Sequence, residues 1–305
     1  MRFGFHALNL GPIATLASIQ HVLAACEHHK IDSIWTGDHI INADQIGSTY
    51  PYSPTGKFPL PPEEPILEPL TFMGYAAART TTVQIGVSVL IVPYRNPVVT
   101  ARALTTLDFL SQGRIIVGIG SGWMKEEFDA LGVPFAERGA QTDEFIQIFK
   151  AIWTNPRPQF SGKYHQFSGI TAYPQPVQRP YPPIWVGGNS KRAMRRALEL
   201  GDGWQPGWSK PDQFAQEMQD FYRIADRLGR DPKTVEISLI RPMQILDRAD
   251  AHRPLIGTPE QIAADIREYQ RLGVSHLVFA FRTSTMAETV ETVERFATQV
   301  RPLLQ

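Results

Sequence analysis

Residues 84–120 read QIGVSVLIVPYRNPVVTARALTTLDFLSQGRIIVGIG, and this stretch decides the fold class. Gln84–Ile91 is short and β-branched, as a strand requires. Asn96-Pro97 supplies a cap and a first-turn proline ahead of the helical stretch Val98–Ser111. Gly113 closes that helix, and Arg114–Gly118 returns to a strand. Strand, crossover helix, strand is the parallel unit of α/β folds.

The alternation continues in both directions. Strands are expected at Arg2–Leu8, Ser33–Gly37, Gln84–Ile91, Arg114–Gly118, Pro183–Val186, Gly203–Gln205, Glu236–Ile245 and His276–Phe281. Seven of the intervals hold a good helix candidate. Thr258-Pro259-Glu260-Gln261 reads as a capping box opening a helix with Ile262, Ile266 and Tyr269 on one face and Gly273 at its end. Strand–helix units repeated without a composition break predict an α/β fold, a (β/α)8 TIM barrel, as a single domain over 1–305. The competitor is an open doubly wound sheet. Asn9-Leu10-Gly11-Pro12 follows the first strand, where its dinucleotide-binding version would carry Gly-x-Gly-x-x-Gly.

Composition narrows the function classes. The 305 residues carry 30 Lys plus Arg against 30 Asp plus Glu, so there is no basic field for a nucleic-acid backbone. No apolar run approaches the roughly 20 residues that span a bilayer, and the N-terminus lacks the long apolar core of a secretory signal. A cytoplasmic protein that binds neither membrane nor nucleic acid is expected. Cys26, the single cysteine, allows neither an internal disulfide nor a Cys-rich zinc site. His28 and His29 are consecutive on a helix and cannot face one ion, so no metal is expected.

The chain holds 25 Pro and 23 Gly. Tyr50–Pro69 contains seven of the prolines, and Arg157–Pro183 is also proline-rich. Both are long for connections, and both are expected to form lids or pocket walls at the C-terminal face of the strands. The alternative is loops that only pack a dimer or decorate the surface.

In a parallel barrel, ligands bind where strands end. Strand five ends Gly187-Gly188-Asn189-Ser190. The glycines let backbone approach a ligand, and Asn189 or Ser190 can cap the helix Lys191–Leu200. That helix carries Lys191 and Arg192 in its first turn, with Arg195 and Arg196 beyond. Cations at a helix N-terminus are unfavourable by roughly 0.3–1 kcal/mol each, and a bound phosphate would reverse the sign. A solvated basic helix is the alternative. Asp38-His39 ends strand two; the histidine could transfer a proton near neutral pH, or could simply cap the next loop. Gly118-x-Gly120-x-Gly122 leaves room for a flat ring, and Trp123 could stack on it or belong to the core.

Four stretches carry a family resemblance across essentially the whole chain. They are Ile31–His39, Val92–Pro97, Gly118–Trp123 with Glu126-Glu127-Phe128, and Gly187–Ser190 with Gly201–Trp204. Their order and spacing resemble the luciferase-like monooxygenase superfamily, in its branch of oxidoreductases dependent on the deazaflavin coenzyme F-420. The resemblance implies a TIM barrel, usually homodimeric, with the cofactor ring across the barrel mouth. It places Asp38 and His39 beside ring and substrate, and a non-proline cis bulge at Ser88-Val89 behind the ring. Gly120, Ser121 and Gly122 would border the ring, and Gly187, Gly188, Asn189 and Ser190 would hold the phosphate, to which the helix-dipole argument adds Arg192. Apart from what the resemblance implies, Arg95 and Trp123 are expected on the substrate side. The sugar-phosphate and alcohol dehydrogenases of this branch have Trp and Glu where this chain has Ala43 and Ser121, so their substrates do not transfer.

The expected activity is hydride transfer between coenzyme F-420 and a small organic substrate, with His39 as the proton-transfer group. One alternative is an FMN-dependent monooxygenase supplied with reduced flavin by a partner reductase. Another is a barrel that binds a flavin-type ligand without catalysis.

Overall fold

The computed structural model describes residues 1–53, 55–250 and 252–304; Pro54, within the first proline-rich segment, lies outside the described residues. The barrel strands are β1 Arg2–His6, β2 Ser33–Thr36, β3 Gln84–Ile91, β4 Ile115–Gly120, β5 Ile184–Gly187, β6 Gly203–Gln205, β7 Glu236–Ile245 and β8 His276–Phe281. All pair in parallel, in the order β7-β8-β1-β2-β3-β4-β5-β6, and β6 pairs with β7 to close the sheet. This is the (β/α)8 TIM barrel. Strand four runs to Gly120, two residues beyond its expected end, because β3 stays paired with it as far as Ile91–Gly120.

The helices are α1 Leu16–His28, α2 Pro69–Arg79, α3 Pro97–Leu110, α4 Lys125–Ala130, α5 Arg138–Thr154, α6 Lys191–Leu200, α7 Pro211–Leu228, α8 Pro259–Arg271 and α9 Met286–Arg295. Asn96 caps α3 by accepting from the N–H groups of Val98 and Val99. At α8 only half of the expected capping box forms. Thr258 accepts from Gln261 N, but the Gln261 amide turns to the backbone of Asp250. The complete box is at α9, between Thr285 and Glu288.

The main core lies between strands and helices, where Phe5, Ile34, Val87, Leu104, Phe149 and Phe279 are fully buried. A second core fills the barrel with Trp35, Ile116, Trp185, Ile240 and Val278, the two indoles stacked at 5.2 Å. At the entry of β4, Arg114 donates to the carbonyls of Ser111, Val83, Ala77 and Thr80 and to the Thr80 hydroxyl. It thereby gathers the C-terminal ends of α2 and α3, whose last carbonyls have no helical partner.

The two proline-rich segments sit in different places. Tyr50–Pro69 connects a strand to a helix and lies at the mouth, as expected. Arg157–Pro183 connects α5 to the start of β5, and a helix-to-strand connection enters the barrel from the opposite end. Its hairpin at 160–167 folds back along α5, where Tyr164 and His165 bond Glu144 and Lys163 pairs with Glu137. None of its described residues lines the cavity at the mouth, so it is a strap and not the expected lid. Asp108 accepts from the Val177 and Gln178 backbone, Arg102 donates to the carbonyls of Tyr173 and Pro174, and Gln175 donates to those of Ile152 and Ala172.

Candidate active site at the barrel mouth

A cavity of about 1500 Å³ opens over the C-terminal ends of the strands. Its floor begins at β3, where the Ser88-Val89 peptide is cis as the resemblance implied, and where the register with β4 shifts between Val87 and Leu90. The bulge presents Val89 to the cavity between two strand ends. A methyl group on Gly120 would come within 2.3 Å of one Val89 methyl, and a methyl on Gly187 within 2.4 Å of the other. These two glycines therefore clear space for Val89, which becomes the platform of the cavity.

His39 sits at the end of β2, buried, with its ring 4.8 Å from Phe58 and 6.0 Å from Trp123. Its Nδ1 pairs at 2.8 Å with Oε2 of Glu127, a carboxylate wholly out of solvent on α4. The same oxygen accepts from the Tyr94 hydroxyl at 3.0 Å, and Oε1 accepts from Ile40 N at 2.8 Å. Burial, then the charge of Glu127, push the Tyr94 phenol up, so it remains a donor. An ionised Glu127 assigns the Nδ1 proton to the histidine and leaves Nε2 as the nitrogen available for proton transfer.

Asp38 and Arg95 meet each other rather than the cavity. Arg95 clasps both carboxylate oxygens of Asp38, at 2.6 and 2.9 Å, and reaches Glu68 at 3.1 Å. Asp38 also accepts from Ile91 N at 2.8 Å. Neither residue lines the cavity. The pair anchors the end of β2 to the end of β3 at Ile91.

The first insertion covers His39 with aromatic rings. Tyr50 packs on Phe58 and Trp123 with centroids 5.2 and 5.0 Å apart, and Pro51, Tyr52 and Ser53 form part of the cavity wall. Glu126 ties the insertion down by accepting from the N–H groups of Gly47 and Ser48, and Asn9 holds its far end through the Leu67 backbone.

At the end of β5, Ser190 caps α6 by accepting from Ala193 N. Asn189 is a brace: its amide bonds the Gly207 backbone, Ser209 and Glu217. Gly188 adopts φ +108, which disfavours any side chain there. Lys191 and Arg195 pair with Asp220 and Glu199, and Arg196 pairs with Asp143 while reaching the Ser121 hydroxyl. Among the described residues, Arg192 has no ion-pair partner. Arg138 enters from α5, its charged form disfavoured by burial and then by the charge of Arg192. Lys210 and Arg241 complete a predominantly basic wall, on which Asp143 and Glu199 are the carboxylates.

Sequence reasoning thus located Trp123, Ser121 and the β5–α6 turn, which the fold brings to one cavity, and His39, which lies behind its Trp123 wall and does not line it. It missed Glu127, Tyr94, Tyr52, Phe58, Arg138, Lys210 and Arg241. The sequence signals were there for two of them. Arg241 is a lone charge inside Ser238-Leu239-Ile240-Arg241-Pro242-Met243, and Glu127 sits beside the apolar Phe128 in a short helix. Among the described residues, no group of three or more His, Cys, Asp or Glu side chains could hold a metal ion, and no helix is long and apolar enough to cross a membrane.

Comparison with known proteins extends these observations. The profile of the family described as luciferase-like monooxygenase matches residues 1–253. An F-420-dependent glucose-6-phosphate dehydrogenase of Segniliparus rotundus is 27% identical over 325 aligned positions, covering 91% of each chain. An FMNH2-dependent dimethylsulfone monooxygenase of Pseudomonas putida is 36% identical over 138 residues, covering 44% of this chain and 38% of that protein. The crystal structure of a monooxygenase from Streptomyces bottropensis superimposes with a TM-score of 0.80 at 21% identity, over 99% of both chains.

Proposed function

On the premise that the chain belongs to the luciferase-like monooxygenase family, we propose that it is an oxidoreductase using coenzyme F-420 and a small organic substrate. The observation that carries the cofactor reading is the facing of Arg138 and Arg192 across the glycine-rich start of α6, with their charges unneutralised. Two cations held this way weaken each other, and an anion between them removes the penalty. The residues fit a phosphate. Gly188 keeps the backbone clear, and the first N–H groups of α6 lack helical partners.

Arg138, Arg192, Gly188 and the start of α6 would hold the phosphate, and Val89 with Gly120 and Gly187 would support the ring. When bound, the deazaflavin supplies a carbon that accepts or releases hydride. His39 Nε2 would exchange a proton with the substrate, its ring held in place through Nδ1 by Glu127. Tyr50, Phe58 and Trp123 would exclude water around that nitrogen. Asp38 and Arg95 would act on the site only by holding β2 and β3 in register.

The second reading is an FMN-dependent monooxygenase, favoured by the similarity to the dimethylsulfone enzyme. Arg138, Arg192 and Lys210, none of them in an ion pair among the described residues, are more cations than one phosphate monoester requires, and suit the deazaflavin with its phosphodiester and carboxylate tail. Separate titrations with coenzyme F-420 and FMN decide between them. Tight F-420 binding that Arg192→Glu weakens at least tenfold is expected. Tight FMN binding with none for the deazaflavin would overturn the leading reading. A homodimer and a cytoplasmic location are part of the same proposal, the first checked by light scattering.

A further inference from the structure

Arg241 has no role in the arrangement above, yet its situation in the barrel is unusual. It is 7% exposed on β7, between Ile240 and Pro242, and it lines the cavity beside Trp208. Its Nη1 donates to the Trp208 carbonyl. Its Nε has no hydrogen-bond partner, and Nη2 makes no bond among the described residues. No carboxylate among the described residues lies within ion-pair distance. Asp265, the carboxylate whose charge Arg241 senses, already accepts from Leu255 N. Burying a charge without a partner is unfavourable, so a guanidinium held this way at a ligand cavity marks a site built for an anion.

The free atoms specify which kind of anion. Nε and Nη2 form the side-on edge of a guanidinium, whose two parallel N–H groups match the two oxygens of a carboxylate. The occupied nitrogen, Nη1, is the one outside that edge, so the Trp208 carbonyl orients the fork and leaves its donors unpaired. Nε is out of solvent contact, and a carboxylate must displace its cover to reach both nitrogens. Trp208 itself lies at φ +68, a conformation bulky residues rarely adopt, and its side chain packs on the apolar barrel core.

Resting on the oxidoreductase reading of the cavity, we propose that Arg241 is the receptor for a carboxylate on the substrate. The substrate class is then a small organic acid with an apolar body lying against Trp208.

Benzoate and its uncharged analogue benzamide test this by quenching of tryptophan fluorescence in the full-length protein. Wild type is expected to bind benzoate at least tenfold more tightly than benzamide. Arg241→Met should abolish that preference, Arg241→Lys should keep part of it, and Arg241→Met should melt no lower than wild type. Arg192→Glu should leave benzoate binding unchanged while weakening cofactor binding. Equal affinity for the two probes, or an unchanged preference in Arg241→Met, overturns the proposal. So does a loss of FMN or F-420 affinity in Arg241→Met without loss of benzoate, which would make the arginine part of the cofactor site. If neither cofactor binds and the benzoate preference still depends on Arg241, the carboxylate receptor stands and the cofactor reading falls.

Discussion

The clearance around Val89 can be tested without knowing any ligand. A methyl added at Gly187 would lie 2.4 Å from the valine Cγ1. Carbon atoms in contact keep about 3.5–4.0 Å, so the overlap exceeds 1 Å. A flexible side chain could swing away, but valine is stiff about χ1, and its other methyl already faces Gly120 at the matching distance. Gly187→Ala should therefore lower stability by roughly 1–3 kcal/mol, the usual range for overpacking. Val89 is half-buried, so Val89→Ala alone should lose about 1 kcal/mol. In the double variant the overlap disappears, and its loss should be close to that of Val89→Ala alone. The coupling between the sites is then about 1–3 kcal/mol in the compensating direction. Urea unfolding followed by tryptophan fluorescence gives the four free energies of the cycle. Additivity within about 0.5 kcal/mol would show that the glycines are not there to make room for Val89.

Three further predictions concern the proposed proton-transfer group, the barrel interior and the helix ends. Glu127→Gln should lower kcat by roughly tenfold or more while leaving the cofactor Kd within about twofold, since it loosens the group that holds His39 without touching the basic wall; equal effects on both would contradict the separation. Burial, then the charge of Arg2, lower the pKa of His276 to about 3. Its stabilising contribution is therefore complete above the unfolded value near 6.5 and is lost as pH falls toward 3, by about 2 kcal/mol at pH 5. His276→Gln should remove that share of the acid sensitivity, measured as the difference between urea midpoints at pH 7.5 and 5. His6, lowered to about 4 by burial against a weaker opposing hydrogen bond to Ser88, acts in the same direction and remains in the variant. Arg114→Met should destabilise by roughly 2–4 kcal/mol, because it leaves the carbonyls at the ends of α2 and α3 without their donor; a change below about 0.5 kcal/mol would refute this.

The barrel was legible because its signals are local and periodic. Asn96-Pro97 caps α3 as expected, and all eight expected strands appear with ends shifted by no more than two residues. The cavity-lining turn before α6, proposed to hold the phosphate, was legible too, since a glycine pair, a cap residue and a run of cations are adjacent in sequence. What the sequence hid is long-range. Asp38 and Arg95 are 57 positions apart and His39 and Glu127 are 88 apart, so neither pairing leaves a local trace. The fate of Arg157–Pro183 was long-range too: its hairpin packs along α5 at Glu144 and Glu137, and those contacts, which leave the cavity unlined by it, have no local sequence trace.

The clamps on the first insertion set out how the pocket could be rebuilt. Glu126 grips one end at Gly47 and Ser48, and Asn9 grips the other through Leu67, while Glu127 separately secures Ile40 and His39. The span between the grips carries Tyr50, Tyr52 and Phe58, and none of its described residues belongs to the barrel sheet. It is an exchangeable cassette with fixed terminals. Redesign can swap its aromatic residues to suit a new substrate shape while the platform, the histidine and the basic wall keep their places.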